Sequence, residues 1–150
     1  MEQKILPVFK NREYRWMNEF SLKVMFLCFL FWENVFVIDN PLTPFNKGDS
    51  EPELRRGYAD LLLMVRPDKQ GAGLHDILIE FKYVGLNQLK LKGEEVRGMS
   101  DEELIERAEV KELLEGAKEQ LNKYTEALVT KHPEVNLRKY IVVGIGMERI

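Results

Sequence analysis

Two apolar segments, separated by a short stretch of turn-forming residues, constrain the fold of this chain more than any other feature. The first segment runs from Tyr58 to Val65, the second runs from Asp76 to Val84, and a turn region from Pro67 to Gly73 lies between them. Short apolar runs that are bounded by Pro, Gly and Asp are typical of buried strands. A turn of this length allows the two strands to pair antiparallel. The sequence therefore predicts a β-hairpin in the middle of the fold.

The rest of the chain supplies helices and strands on either side of this hairpin. The pattern predicts a helix from Arg12 to Phe31, a strand from Val35 to Asp39, a helical region from Ser100 to Lys131 and a final strand from Tyr140 to Ile145. Ser100 and Glu103 have the spacing of a capping box, which marks the start of that helical region. Residues 86–99, which contain several Lys and Gly, are expected to form an insertion loop at the surface. The order αβββαβ predicts a single α/β domain over residues 1–150, with a mixed central sheet flanked by helices.

Composition excludes several other classes of protein. A chain of 150 residues that is 45% hydrophobic can bury one core without disulfides, and disorder, collagen and rod-like coiled coils do not fit it. The lone cysteine, Cys28, suits a reducing cytoplasm and is expected to be a buried apolar residue. The apolar segment from Phe20 to Trp32 is shorter than the roughly 20 residues that a bilayer requires. We therefore expect a cytoplasmic protein with a buried first helix and no membrane association.

Charged residues interrupt the two apolar segments of the hairpin. If the hairpin is symmetric about Gln70, Asp60 lies opposite Glu80, and the alternation of a strand places Lys82 on the same face. Two directly opposed carboxylates repel each other, so a cation beside them would be needed in a buried setting. Lys82 or a divalent metal ion can supply that charge, and Mg²⁺ prefers such oxygen ligands. The alternative is that this face is exposed and carries only a surface charge cluster.

The same residues resemble a known family pattern. Asp60, followed in the next strand by Glu80-Phe81-Lys82, is similar to the motif of the PD-(D/E)xK nuclease superfamily. The preceding Gly57-Tyr58-Ala59 with Asp60 resembles the G-x-x-D form of its bacterial members. Gln120 and Tyr124 resemble the Q-x-x-x-Y motif of some exonuclease and resolvase branches. The resemblance spans residues 19–145 and is nearest to the bacterial branch that is often found C-terminal to AAA-ATPase-like domains.

This resemblance implies a restriction-endonuclease-like core and a metal site. Asp60 and Glu80, with the backbone carbonyl of Phe81, would bind Mg²⁺ or Mn²⁺. Lys82 would position or activate the attacking water and offset charge on the scissile phosphate. Gln120 would orient the site or a phosphate.

Two further residues each keep two interpretations. Tyr124 lies four residues after Gln120 and thus on the same helix face, but it also fits the apolar stripe of that helix. Glu19 corresponds to the acidic residue that many family members carry on the first helix. At its spacing from Lys23, however, it equally suits an exposed ion pair.

The resulting functional prediction is a metal-dependent nuclease that hydrolyses phosphodiester bonds, with DNA as the expected substrate. The alternative is an inactive nuclease-fold module that binds a protein or nucleic-acid partner, since the net charge of −3 does not favour a polyanion. No nucleotide-binding G-x-x-x-x-G-K-[ST] loop occurs, so an AAA-ATPase-like partner would act in cis or trans from outside these residues. The insertion is a candidate substrate gate or homodimer contact. The basic residues that are candidates for contact with phosphates are scattered along the chain, and they would favour the enzyme if the fold gathers them around the carboxylates: Lys10, Arg12, Arg15, Arg55, Arg56, Lys90, Lys92 and Arg97.

Overall fold

A computed structural model describes residues 17–30, 36–39, 60–65 and 73–150. In chain order its elements are α1 (Glu19–Leu30), β1 (Phe36–Asp39), β2 (Leu61–Val65), β3 (Asp76–Val84), α2 (Leu86–Leu89), α3 (Gly93–Gly98), α4 (Asp101–Ile105), α5 (Ala108–Lys131) and β4 (Leu137–Ile145). These residues belong to two compact units. The first unit contains the described residues 17–30, 81–117 and 141–150, and the second contains 36–39, 60–65, 73–80 and 118–140.

The hairpin has the register that its symmetry predicts. β2 pairs antiparallel with β3, with Leu61 opposite Ile79 and Leu63 opposite Ile77. The residue numbers of each pair sum to 140, as expected for a hairpin that is symmetric about Gln70. The span of β3 is also the predicted one, from Asp76 to Val84. The hairpin and its register are therefore confirmed.

The described strands form one mixed sheet in the order β1-β2-β3-β4. β1 pairs antiparallel with β2. Two backbone hydrogen bonds give the pairing of β3 with β4: Asp76 N–H donates to the Asn136 carbonyl at 2.8 Å, and Gly146 N–H donates to the Val84 carbonyl at 2.9 Å. Both bonds fit one parallel register, since residues at the two starts and at the two ends are neighbours. The predicted α/β class and mixed sheet are confirmed, and β4 begins three residues earlier than predicted.

The insertion loop predicted for residues 86–99 is wrong, because this segment forms the short helices α2 and α3. Leu89 and Val96 are fully buried, and they pack in the core of the first unit with Val84 and Ile145. Each helix starts with a side-chain cap from its own first turn, in which Gln88 Oε1 accepts from Gly85 N–H at 2.8 Å and Glu95 Oε2 from Lys92 N–H at 2.6 Å. The segment is thus part of the core and not a surface excursion.

The helical region after Ser100 begins as predicted but is not continuous. Ser100 Oγ accepts a hydrogen bond from Glu103 N–H at 3.2 Å, and Glu103 Oε2 accepts from Ser100 N–H at 2.7 Å, so the capping box is confirmed. The chain then leaves the helix at residues 106–107, between α4 and α5. Leu104 and Val110 both lie in the core of the first unit. In one continuous helix two residues six positions apart would point about 120° apart, so the break allows both to enter the same core.

The described side chains of the first helix are partly buried and partly exposed, whereas the sequence predicts a buried core helix for its apolar segment. Leu22 and Phe26 are buried, and the ring of Phe26 meets that of Phe81 edge to face at 5.0 Å. Phe20, however, is 72% exposed, and Cys28 is exposed rather than buried. None of the described helices combines the length and hydrophobicity that would be needed to cross a membrane. Residues 12–16 and 31 of the predicted helix lie outside the described residues.

Candidate functional site

The hairpin register brings Asp60 and Glu80 together at one end of the second unit. Asp60 directly precedes β2, and Glu80 follows Ile79 on β3. Since Leu61 is opposite Ile79, the next position in the same register places Asp60 opposite Glu80. Opposed residues of an antiparallel pair have Cβ atoms roughly 5 Å apart. The observed register therefore agrees with the predicted opposition of the two carboxylates, which lies one position beyond the paired residues.

Burial distinguishes this pair from a surface charge cluster. Glu80 is only 2% exposed, and Asp60 is half-buried. A surface cluster would leave both carboxylates in water, so that interpretation is wrong for Glu80. An ionised carboxylate is costly to bury unless hydrogen bonds or opposite charge compensate it, and a second carboxylate beside it adds repulsion. The pair is thus a place where bound positive charge would be stabilising.

The pKa of Tyr124 on α5 indicates that this helix lies near both carboxylates. Burial of the phenol raises the pKa of Tyr124 to about 12, and the negative charges of Glu80 and Asp60 add to the rise. Because a phenol becomes negative on losing its proton, nearby carboxylates oppose that loss. Tyr124 therefore stays protonated at neutral pH and can donate a hydrogen bond. Gln120 lies one turn earlier on the same helix and is half-buried.

The remaining predicted site residues belong to the first unit. Phe81 and Lys82 continue β3 after Glu80, and strand alternation places the half-buried Lys82 on the Glu80 face of that strand. Phe81 is fully buried on the opposite face. Glu19 is exposed in the first turn of α1. The roles of the Phe81 carbonyl, Lys82 and Glu19 stay predictions.

The chemistry of the donor set fits a magnesium-like cation. Within the described ranges no three His, Cys, Asp or Glu side chains come together. Asp60 and Glu80 offer carboxylate oxygens as donors. Mg²⁺ commonly binds through one or two carboxylates and completes its coordination with water and substrate phosphate. The two residues therefore suit Mg²⁺ or Mn²⁺ better than a structural metal ion.

The structure describes only three of the eight basic residues that are candidates for contact with phosphate. Lys10, Arg12, Arg15, Arg55 and Arg56 lie outside the described residues, as do Gly57, Tyr58 and Ala59 of the predicted G-x-x-D motif. Lys90, Lys92 and Arg97 are in the first unit, and Arg97 forms an ion pair with the buried Glu148. The positive charge of Arg97 is therefore already compensated by Glu148 within the protein.

One residue of the second unit escaped the sequence analysis. Asp76, the first residue of β3, accepts hydrogen bonds from two backbone N–H groups outside its own strand. An acidic residue at the start of an apolar segment gives a weak indication of this role, since Asp is common at strand boundaries.

Comparison with known proteins finds no match: no family model, no curated protein and no solved structure matches the chain. The resemblance to the PD-(D/E)xK superfamily consequently rests on the motif residues and their placement in the hairpin and on α5.

Proposed function

We propose that this chain is a metal-dependent nuclease domain of the PD-(D/E)xK type with a restriction-endonuclease-like core. The observation that carries the proposal is the convergence of Asp60, Glu80 and Tyr124 in the second unit. The motif requires its two acids on adjacent strands and its helix residue beside them. A surface charge cluster would not require a buried glutamate at this position.

The proposed division of labour follows from the position of each residue. Asp60 and Glu80, aided by the Phe81 carbonyl, would hold Mg²⁺ or Mn²⁺. The bound ion supplies Lewis acidity toward a phosphate oxygen of the nucleic acid. Lys82, two residues after Glu80 on the same strand, offers an ammonium group that can orient the attacking water and offset phosphate charge.

The helices would complete the site with neutral and acidic groups. Tyr124, protonated at neutral pH, offers a hydrogen bond without adding negative charge to a site that already holds two carboxylates. Gln120 on the same face of α5 would orient a phosphate, and Glu19 would assist with the metal ion. The proposed substrate is DNA, and the proposed partner in the cell is an AAA-ATPase-like protein or domain.

A cleavage assay tests this proposal. Labelled single- and double-stranded DNA and RNA would be incubated with the protein in Mg²⁺, Mn²⁺ or EDTA. Asp60→Asn and Lys82→Ala should each reduce cleavage by about a hundredfold or more, because each removes a group from the reacting centre. Glu119→Gln and Lys118→Ala, exposed changes of the same kinds on α5, are the controls. Wild-type cleavage by both Asp60→Asn and Lys82→Ala, with circular dichroism unchanged, would rule the proposal out.

A second candidate function is an inactive nuclease-fold module that binds a partner. The observation in its favour is the acidic character of the described first unit, which exposes many glutamates and Asp101 and in which four basic residues, Arg97, Arg107, Lys111 and Arg149, already form ion pairs with acidic residues. If the protein binds Mn²⁺ through Asp60 but cleaves none of the four nucleic acids, this candidate is preferred.

A further inference from the structure

Asp76 connects three strands of the sheet through its carboxylate and backbone. Its Oδ1 accepts a hydrogen bond from Val65 N–H at the end of β2, at 2.8 Å. Its Oδ2 accepts from Asn136 N–H, just before β4, at 3.2 Å. The Asp76 N–H donates in return to the Asn136 carbonyl at 2.8 Å. One side chain thus holds β2 and the approach to β4 against the first residue of β3.

The hydrogen bond from Val65 N–H to the Asp76 carboxylate lies at the end of the backbone pairing between β2 and β3. The paired residues of β2 and β3 run from Leu61 opposite Ile79 to Leu63 opposite Ile77. Beyond them, Val65 N–H is held by a side-chain carboxylate. Carboxylates make stronger hydrogen bonds with backbone N–H groups than neutral acceptors do. The Asp76 side chain therefore fixes the position of β2 along β3 at the turn end of the hairpin.

The position of β2 along β3 determines whether Asp60 lies opposite Glu80. A slip of one residue between β2 and β3 would turn every β2 side chain to the other face of the sheet. Asp60 would then no longer lie opposite Glu80. Asp76 itself is four residues before Glu80, or roughly 13 Å along the strand, so it does not reach the pair. Any effect of Asp76 on the pair acts through the register.

We propose that Asp76 is a positioning residue that locks the β2–β3 register and so holds Asp60 opposite Glu80. The register lock is an inference from the hydrogen bonds alone, whereas its importance for metal binding rests on the proposed function above. Asp76 is neither a metal ligand nor a catalytic residue in this proposal.

The test compares three variants that differ in which bonds they keep. Asp76→Ala removes both carboxylate bonds. Asp76→Asn keeps one amide oxygen, which can accept from Val65 N–H, and it is the conservative rescue. Asn136→Ala is the control, because it removes only the weak side-chain bond to the Leu74 carbonyl at 3.5 Å and leaves the Asn136 N–H in place. Each variant is studied at a temperature where circular dichroism shows it to be folded.

Two measurements test the β2–β3 register and its effect on metal binding separately. The first is the NMR cross-peak between Leu61 and Ile79 across the hairpin. The second is the affinity for Mn²⁺ by calorimetry. We expect Asp76→Ala to weaken the cross-peak and to lower Mn²⁺ affinity about tenfold, the lower range for residues that support a metal site indirectly. Asp76→Asn and Asn136→Ala should remain close to wild type in both measurements.

The two measurements also separate this inference from the proposed function. If folded Asp76→Ala keeps the Leu61–Ile79 cross-peak, the register lock is wrong, whatever the metal affinity. If Asp76→Ala is unfolded, hydrogen exchange at the Val65 amide of the wild-type protein decides: slow exchange supports the lock, and exchange as fast as in an unstructured chain overturns it. If the wild-type protein binds no Mn²⁺, the proposed function fails, and the cross-peak still decides the role of Asp76.

Discussion

Tyr124 is the residue through which the charge of the carboxylate pair can be measured. Its pKa is raised to about 12 by burial and then by the charges of Glu80 and Asp60. Asp60→Asn removes one of those charges, so the pKa of Tyr124 should fall while burial keeps it above 10. Saturating Mn²⁺ or Ca²⁺ should lower the wild-type value too, because a cation at the pair favours the phenolate. Carbon NMR of labelled tyrosine, with Tyr124→Phe to assign the resonance, gives these values.

The control for this titration is Glu119→Gln. Glu119 is exposed on the same helix and is not among the charges that raise the pKa of Tyr124. An equal pKa for Tyr124 in wild type and Asp60→Asn would mean that Asp60 is not close to the phenol in solution.

The sequence could predict that Asp60 and Glu80 are opposed, but not how deeply they are buried. Opposition follows from strand alternation and from a hairpin whose two halves have equal lengths about Gln70. Burial depends on what covers that face, and the segments that do so are distant along the chain. Tyr124, which is close enough to both carboxylates for their charges to raise its pKa, follows Glu80 by more than forty residues along the chain. Only the folded arrangement could therefore exclude a surface cluster.

At the scale of secondary structure, the sequence predicted the strands and the long helices but missed the two short helices α2 and α3. β3 and the cap of α4 were predicted because each has a strong local pattern. Helices α2 and α3 have four and six residues, too few to show a helical period, and the Gly and Lys residues of the segment 86–99 are typical of loops. Their structure depends instead on Leu89 and Val96 entering the core of the first unit.

Because the short helix α2 places Leu89 in the core, a substitution at Leu89 should greatly lower the stability of the protein. Leu89 is fully buried, so Leu89→Ala should leave a cavity and lower the free energy of unfolding by about 2–5 kcal/mol. Val129→Ala, on a residue that is 44% exposed, is the control and should change it by about 0.5 kcal/mol or less. Urea denaturation measures both. Similar small changes in the two variants would mean that the segment is a surface loop in solution, as the sequence alone suggested.

For the whole molecule, the negative net charge predicts that binding of a polyanion depends on a divalent metal ion. The chain carries a net charge of −3. A phosphate backbone approaching two carboxylates is repelled unless a cation lies between them. The proposed nuclease should therefore bind nucleic acid far better with a divalent ion than in EDTA.

The same reasoning predicts that the stability of the whole protein depends on the metal ion. An ion that binds the folded carboxylate pair, and not the unfolded chain, stabilises the fold by about 2.7 kcal/mol at a hundred times its dissociation constant. Mn²⁺ or Mg²⁺ should thus raise the melting temperature of the wild-type protein relative to EDTA. Asp60→Asn should melt at the same temperature in both, because half of the donor pair is lost. Glu119→Gln should respond to the ion as the wild type does. An equal rise in Asp60→Asn would place the stabilising ion elsewhere on the protein and would contradict a metal site at Asp60 and Glu80.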